Sequence, residues 1–400
     1  MRKLGFLTAT FLASISLNTI AQDDSNTLRV YNWSDYIGEG VVSQFEEETG
    51  IDVIYDTYDS NLEVEEKINL GGGNYDVVVP SLDFMAKQLR RGLFRQIDKS
   101  KLKNYSELDP TFLKNIAKLD TENAHGVPYM WGTTGFGYNV EQVRKILGPN
   151  APVNSWDLIF KPENLKKLSA CGVSFLDEPT EMLSIGLNYL KKDPNSEETS
   201  DYLNVAGDFF KQLSQYVNVF DSADFLDNLS NGKICVAIGW SGDIFQAMAN
   251  AEESDNGVKI KYVIPKEGTV FWVDMLAIPE LTRNEDAALK FIDFLLRPEI
   301  AAKNTNYIWY ANAVTNSLQY VDDEIKNDPT IYPTPDIQAK LFQSGRRSIR
   351  IRRTIEQSWG NVISEYLRYH PEPFNPDKLD HNTQNSEKLW QDASENLLQK

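Results

Sequence analysis

The chain has 400 residues, enough for two or three domains of ordinary size, and a formal net charge of −18. Such an acidic surface argues against nucleic acid and favours encounter with cations, although acidity also serves to keep an exported protein soluble. The three histidines sit in no His-Glu-x-x-His pattern, and neither a Gly-x-Ser-x-Gly elbow nor a Walker loop occurs; a glycosidase-type acid pair stays open only because 58 Asp and Glu residues make carboxylates abundant.

In chain order, Arg2 and Lys3 precede an apolar stretch from Leu4 to Leu17, and Thr19-Ile20-Ala21 offers small residues at the −3 and −1 positions of a cleavage site. Residues 1–21 read as a secretory signal peptide and are set aside from the fold. They carry two positive and no negative side chains, so the remainder carries −20. No cysteine follows the apolar stretch, which argues against a lipid anchor, and no later stretch reaches the ~20 apolar residues of a membrane span. The only cysteines, Cys171 and Cys235, form an even pair in an exported chain and favour a disulfide over a reactive thiol, since no histidine is close in sequence to either.

Strand and helix patterns then alternate. Leu28–Trp33 reads as a strand, Val41–Thr49 as a helix stopped by Gly50, and Ile51–Tyr58 as a second strand. Asn61–Leu70 reads as a helix followed by the turn Gly71-Gly72-Gly73. Tyr75–Val79 is an apolar run suited to a strand buried on both faces, ended by Pro80-Ser81, and Asp83–Arg91 is a helix stopped by Gly92. Strands separated by single helices imply a parallel sheet with right-handed crossovers. Val127–Asn139 is aromatic, holds Gly132, Gly135 and Gly137, and is long for a simple strand. It reads as a segment crossing between two lobes, or alternatively as one long strand with a bulge.

A second alternating set follows: strand Cys171–Leu176, helix Pro179–Leu190, helix Asp201–Leu213, helix Ala223–Ser230 with Ser222 as its N-cap, strand Ile234–Trp240 and helix Gly242–Ala251. Val258–Pro265 and Val270–Pro279 read as strands, the first being the return crossing, and Asn284–Leu296 as an amphipathic helix ended before Pro298. The second lobe is thus inserted into the first. The expected division is residues 26–133 with 266–330 in one lobe, 134–265 with 331–362 in the other, and a polar extension over 363–400. Two lobes joined by two crossings make a hinge that closes on a ligand. Arg346, Arg347, Arg350, Arg352 and Arg353 suggest a solvated face or an inter-lobe ion network, and Trp359 an anchor for the last packed helix.

One pairing of residue types recurs. Tyr31-Asn32-Trp33-Ser34-Asp35-Tyr36 puts two rings, a hydroxyl and a carboxylate at the end of the first strand, where ligands of open α/β sheets bind. Trp240-Ser241-Gly242-Asp243 repeats it, Trp272 and Asp274 share one face of a strand, and Trp309-Tyr310 adds more rings. Each aromatic alone reads as core. Four clusters, three with an acid within three residues of a ring, favour a box for a cation, which ring faces attract and carboxylates pair.

The segments YNWSDYI, VVVPS, PYMWGTTGFGYN, VNSWDL, CGVSFLD, ICVAIGWSGD and IPKEG resemble the periplasmic polyamine-binding proteins of ATP-driven uptake systems, most of all their putrescine-type branch, nearly collinearly from Leu28 to Trp359. The resemblance implies the type II periplasmic-binding-protein fold of the α/β class: two lobes, two mixed sheets with flanking helices, and a hinge of two crossing segments. It implies Trp33 and Tyr36 as part of the aromatic wall, Ser34 and Asp35 at an amine end, and Ser81 as a hydrogen-bonding neighbour. Glu181 would pair with an ammonium group, and Ser222 falls at the family's serine before a second-lobe helix. Trp240 and Asp243 would supply a ring and a carboxylate, Asp274 a central carboxylate, and Tyr310 would close the box. Cys171 and Cys235 match the family's disulfide. Trp272, where that branch often has Phe, and Glu178, where it has a small neutral residue, resemble the spermidine-type arrangement; Glu178 also reads as an acid favoured by a helix dipole. The expected protein is a periplasmic, non-catalytic monomer without cofactor or metal. It would deliver putrescine or spermidine to an inner-membrane ABC permease. A polyamine sensor docking on a signalling receptor is the alternative, and a cleft enzyme the more remote one.

Overall fold

Gly40 and Gly50, both at left-handed φ near 70°, bracket the first helix and set the rhythm of the amino-terminal half. The structure is a computed structural model that describes residues 26–58, 61–69, 75–376 and 379. The expected signal peptide, the Gly71-Gly72-Gly73 turn and most of the carboxyl-terminal extension lie outside the described residues. Strand β1 (Thr27–Trp33) leads through α1 (Val41–Thr49) to β2 (Asp52–Tyr58), and α2 (Asn61–Asn69) leads to β3 (Val77–Val78) and α3 (Leu82–Leu89). β1 runs parallel to both β2 and β3, with Thr27 opposite Asp52 and Val30 opposite Val77. Val41 and Phe45 bury the inner face of α1, each contributing about 1.5–3 kcal/mol.

β4 (Gly126–Asn139) is one continuous strand shared by two sheets. Its first half pairs antiparallel with β9 (Phe271–Ala277) and β10 (Ala311–Asn312), and β9 also pairs with β3. Its second half, from Thr134, pairs antiparallel with β7 (Val236–Trp240) and β8 (Ile260–Val263). β5 (Val173–Phe175) then lies parallel between β7 and β6 (Val219–Phe220). Each sheet is therefore mixed. The crossing and the long-strand readings of this segment are both true of it, with a register shift against β9 between Pro128 and Trp131. Its glycines act through close approach: none has a left-handed φ, but a Cβ on Gly135 would lie 2.1 Å from the Val263 carbonyl oxygen. The return passage falls after the strand expected to make it, because β8 belongs wholly to the second sheet and the chain reaches β9 only at Phe271.

The last helix, Ile349–Tyr369, lies on the second sheet's helices through Ile351, Ile355, Trp359 and Val362. Trp359 packs edge-on against Phe210 and Phe220, and its Nε1 donates to Asp177 Oδ1 at 2.6 Å. The arginine cluster before it forms no ion network among the described residues. Arg347 donates to the Tyr202 hydroxyl, to Ser184 Oγ at 2.8 Å and to the Pro194 carbonyl at 2.8 Å, while Arg346 reaches the Leu119 carbonyl. Ser222 is not an N-cap. The helix starts at Phe225, and the Asp221 carboxylate accepts from the Ala223 and Asp224 amides at 2.8 and 2.9 Å. Helix Asp201–Leu213 opens with a π-helical stretch, Asp201–Gly207, where Ser358 Oγ donates to the Tyr202 carbonyl. Cys171 and Cys235 are joined in a disulfide. Among the described residues no helix is long and apolar enough to cross a membrane.

Candidate functional site

The carboxyl end of β1 meets the ends of β3 and β9. Past Trp33 the chain turns through Asp35, whose φ of 52° is left-handed, a conformation that Asp tolerates better than most residues. Trp33 is held in place: Nε1 donates to the Val79 carbonyl at 2.8 Å, and the ring leans on Tyr58 at 4.7 Å. Ser34 and Asp35 are exposed, while Tyr36 is buried and donates its hydroxyl to Asp274 Oδ2 at 2.7 Å. Asp274 faces Ser81 in an isolated backbone bridge, so the residue before α3 and the acid of β9 lie side by side.

The second half contributes helix starts. Glu181 is in the first turn of helix Pro179–Tyr189; it accepts from the Thr134 hydroxyl and, at 3.4 Å, from Trp240 Nε1. Asp243 is in the first turn of helix Ser241–Glu253 and accepts from the Tyr310 hydroxyl at 3.3 Å. Tyr310 is presented by a left-handed turn at Trp309. Its ring lies 5.5 Å from Tyr36 and 5.0 Å from Trp272, all edge-on. Gly242 lets that ring approach, since a Cβ there would fall 2.2 Å from it. Trp272 Nε1 is buried with no hydrogen-bond partner among the described residues.

The electrostatics of this assembly are one-sided. Burial lifts Asp274, Asp243 and Glu181 each to about 7, and Glu178, at the start of helix Pro179–Tyr189, to about 8. Hydrogen bonds from Tyr36, Tyr310, Thr134 and Trp240 pull the first three down but do not win. Neighbouring acids add to the lift: Asp35 acts on Asp243, and Asp83 on the other three. Among the described residues Asp274, Asp243 and Glu181 form no ion pair. Ionised carboxylates among rings are costly unless a cation arrives with them. Tyr36 and Tyr310 are pushed up well above 10, chiefly by burial, and so stay hydroxyl donors.

Of the residues singled out from sequence, Trp33, Tyr36, Ser81, Trp272, Asp274 and Tyr310 come together around β9, and Glu181, Trp240 and Asp243 face them from the second sheet. Ser222 is spent locally, its Oγ accepting from the Asp177 amide at 3.0 Å. Three participants were not foreseen: Thr134, Tyr58 and Asp83. Asp83 follows two residues after Ser81, shortly past the end of β3, so an acid just beyond a strand end was the available signal.

The bacterial extracellular solute-binding protein family matches this chain over residues 40–334. The chain is 46% identical over 361 residues to the putrescine-binding periplasmic protein PotF of Escherichia coli, spanning 90% of this chain and 97% of that protein. It is 45% identical over 341 residues to the putrescine-binding periplasmic protein SpuD of Pseudomonas aeruginosa, spanning 85% and 93%. The crystal structure of the spermidine/putrescine ABC transporter substrate-binding protein PotD of Streptococcus pneumoniae superposes with a TM-score of 0.74 at 28% identity, over 86% of this chain and all of that one. The two mixed sheets sharing β4 are thus the two-lobed periplasmic-binding-protein fold, and these relatives bind and carry rather than catalyse. With its family match over most of its length and this fold, the chain belongs to the bacterial extracellular solute-binding proteins.

Proposed function

We propose that this protein captures a linear polyamine, putrescine or spermidine, between two lobes in the periplasm and delivers it to an inner-membrane ABC permease. The observation that carries the reading is a set of carboxylates, Asp274 buried and Asp243 and Glu181 half-buried, that meet rings and hydroxyls but, among the described residues, no cation. A diamine is an apolar rod with a hydrated charge at each end. Carboxylates and hydroxyls replace the water stripped from the ends, and rings cover the methylenes. Each cation–π contact adds about 0.5–2 kcal/mol, and micromolar binding needs ~8 kcal/mol net.

In this reading Trp33, Tyr36, Trp240, Trp272 and Tyr310 form the sleeve. Asp243, with Ser34 and Asp35 nearby, takes one ammonium, Asp274 is central, and Glu181 takes the other end with Ser81 as neighbour. Residues 26–133 and 266–330 form one lobe, 134–265 and 331–362 the other. The relatives' names support the ligand class, and their periplasmic setting supports the location. Isothermal titration of the purified, refolded chain with putrescine and spermidine tests it. One-to-one binding at micromolar affinity or tighter is expected; no heat and no thermal shift with either amine would refute it.

A further inference from the structure

Tyr310 enters the sleeve, whereas its neighbour Trp309 goes elsewhere. Trp309 ends helix Pro298–Ile308, its amide donating to the Thr305 carbonyl at 2.8 Å, with φ 60° and ψ 23°. A left-handed backbone is uncommon for a bulky residue and persists only where the surroundings hold it. Two residues on, β10 pairs with Trp131 and Met130 in the first half of β4, so the turn belongs to the first sheet. The half-buried Trp309 ring nevertheless lies 5.9 Å from the Phe245 ring, at an interplanar angle of 39°. Phe245 belongs to the second sheet's side. It is on helix Ser241–Glu253, whose Ile244 abuts Gly137 in the second half of β4, and its buried ring lies 5.4 Å from Tyr262 of β8. The same helix meets this turn twice more, through Asp243 on the Tyr310 hydroxyl at 3.3 Å and through Gly242 under the Tyr310 ring. Those two contacts lie in the proposed amine site. The Trp309–Phe245 contact is ring on ring, with no carboxylate in it, and needs no charge to arrive.

We propose that Trp309 is a positioning residue for binding: seated on Phe245, it clasps the turn that presents Tyr310 against the helix that presents Asp243, and so sets how readily the two halves close on any amine. The inference rests on the polyamine reading above and deepens it. Bringing the carboxylates of the two halves together costs free energy while the site is empty. A ring pair formed across the halves offsets part of that cost, whatever is bound. A contact that raises the population of the binding-competent arrangement raises the apparent affinity of every ligand by the same factor. Trp309 thus acts on the strength of binding and not on the choice of amine. Were Trp309 only a prop for Tyr310 within its own half, Phe245 would have no part in its effect.

The test is a double-mutant cycle in binding. Titration calorimetry of the full refolded chain, Trp309→Ala, Phe245→Ala and the double variant, with putrescine and with spermidine, gives two dissociation constants for each protein. Each single replacement is expected to weaken both amines by the same factor, on the order of tenfold, and the double variant to bind no more weakly than the weaker single. Trp309→Phe, which keeps a ring, is expected to recover most of the loss. Thermal scans check that each variant folds, and Phe245→Leu takes the place of Phe245→Ala in the cycle if the latter does not. A loss below about threefold in Trp309→Ala, a loss that differs between the two amines, or losses that multiply in the double variant overturn the proposal while leaving the polyamine reading intact. Failure of the wild type to bind either amine removes the polyamine reading and this inference with it.

Discussion

Asp274→Asn separates two consequences of placing a carboxylate where no described residue supplies a cation. Asp274 is 5% exposed and accepts the Tyr36 hydroxyl at 2.7 Å. Burial raises it from 3.8 to about 7. Because the folded value lies above the unfolded one, the stability this group contributes is complete below pH 3.8 and is lost as pH rises through about 7. At pH well above 7, holding the ionised acid costs the ligand-free protein at most roughly 4 kcal/mol. Asparagine removes the charge and keeps an oxygen for Tyr36. The ligand-free variant should therefore melt a few degrees higher than wild type under alkaline conditions. The same substitution leaves a bound ammonium without its partner. That loss is worth about 2–5 kcal/mol, so putrescine should bind at least roughly thirtyfold more weakly. Thermal scans without ligand and calorimetry with it measure the two effects. Unchanged affinity, or a ligand-free melting temperature that falls in alkaline buffer, would refute the reasoning, since disrupted packing lowers both.

The remaining carboxylates give binding a pH dependence. A cation favours the ionised forms of Asp243, Asp274, Glu181 and Glu178, which lie at about 7 to about 8 without it, so binding near neutrality should release protons and weaken as pH falls. Calorimetry in two buffers of different ionisation heat would show the release, and identical heats would contradict it. Gly242→Ala should lower affinity by on the order of tenfold or more with the helix intact, because its Cβ would meet the Tyr310 ring at 2.2 Å; normal binding in a folded variant would remove Tyr310 from the sleeve. The Cys171–Cys235 disulfide spans 64 residues, and the chain-entropy estimate puts its removal at about 4 kcal/mol. Urea unfolding of the oxidised chain against Cys171→Ser/Cys235→Ser measures this, and coincident transitions would show the cross-link to be idle.

Much of the frame was legible because its signals are local. β1, α1 and β2 are bounded by glycines and by apolar alternation, and the observed elements start and stop within a residue of those signals. What failed depended on competition or on distant partners. Ser222 has the right chemistry for a cap, but Asp221 reaches the same amides first. The glycines of β4 look like joints, whereas they make room for the Trp272 ring and the Val263 carbonyl, neighbours more than a hundred residues away in sequence. The acids after β1 and β7 were visible as strand-end residues. Asp83 carries the same strand-end signal after Pro80-Ser81, but with Lys87 it also reads as an ordinary i, i+4 pair on a helix, and its nearness to Asp274 follows only from β3 lying beside β9. The arginines likewise look like an ion network until Arg347 is seen donating to a hydroxyl and carbonyls instead.

If the lobes close on an amine as proposed, the uncompensated charge links occupancy to closure. Asp274 comes from the first sheet, whereas Glu181 and Asp243 come from helices on the second. In the hinge-closing reading proposed above, their approach and the burial that raises all three depend on the two halves coming together. Apart, each carboxylate faces water and ionises at little cost; together and empty, they must take up protons or remain charged in an apolar space. An amine with two ammonium groups reverses that sign, because its charges are opposite in sense and arrive with the methylenes that fill the sleeve. On that reading the ligand would bind the closed arrangement more tightly than the open one, and the difference in affinity would shift the population between them. A permease that engages the closed form would then receive loaded protein in preference to empty. The same argument fits the absence, among the described residues, of an ion pair from these acids to a lysine or arginine: a permanent internal partner would stabilise the empty closed state and break the link between closing and carrying.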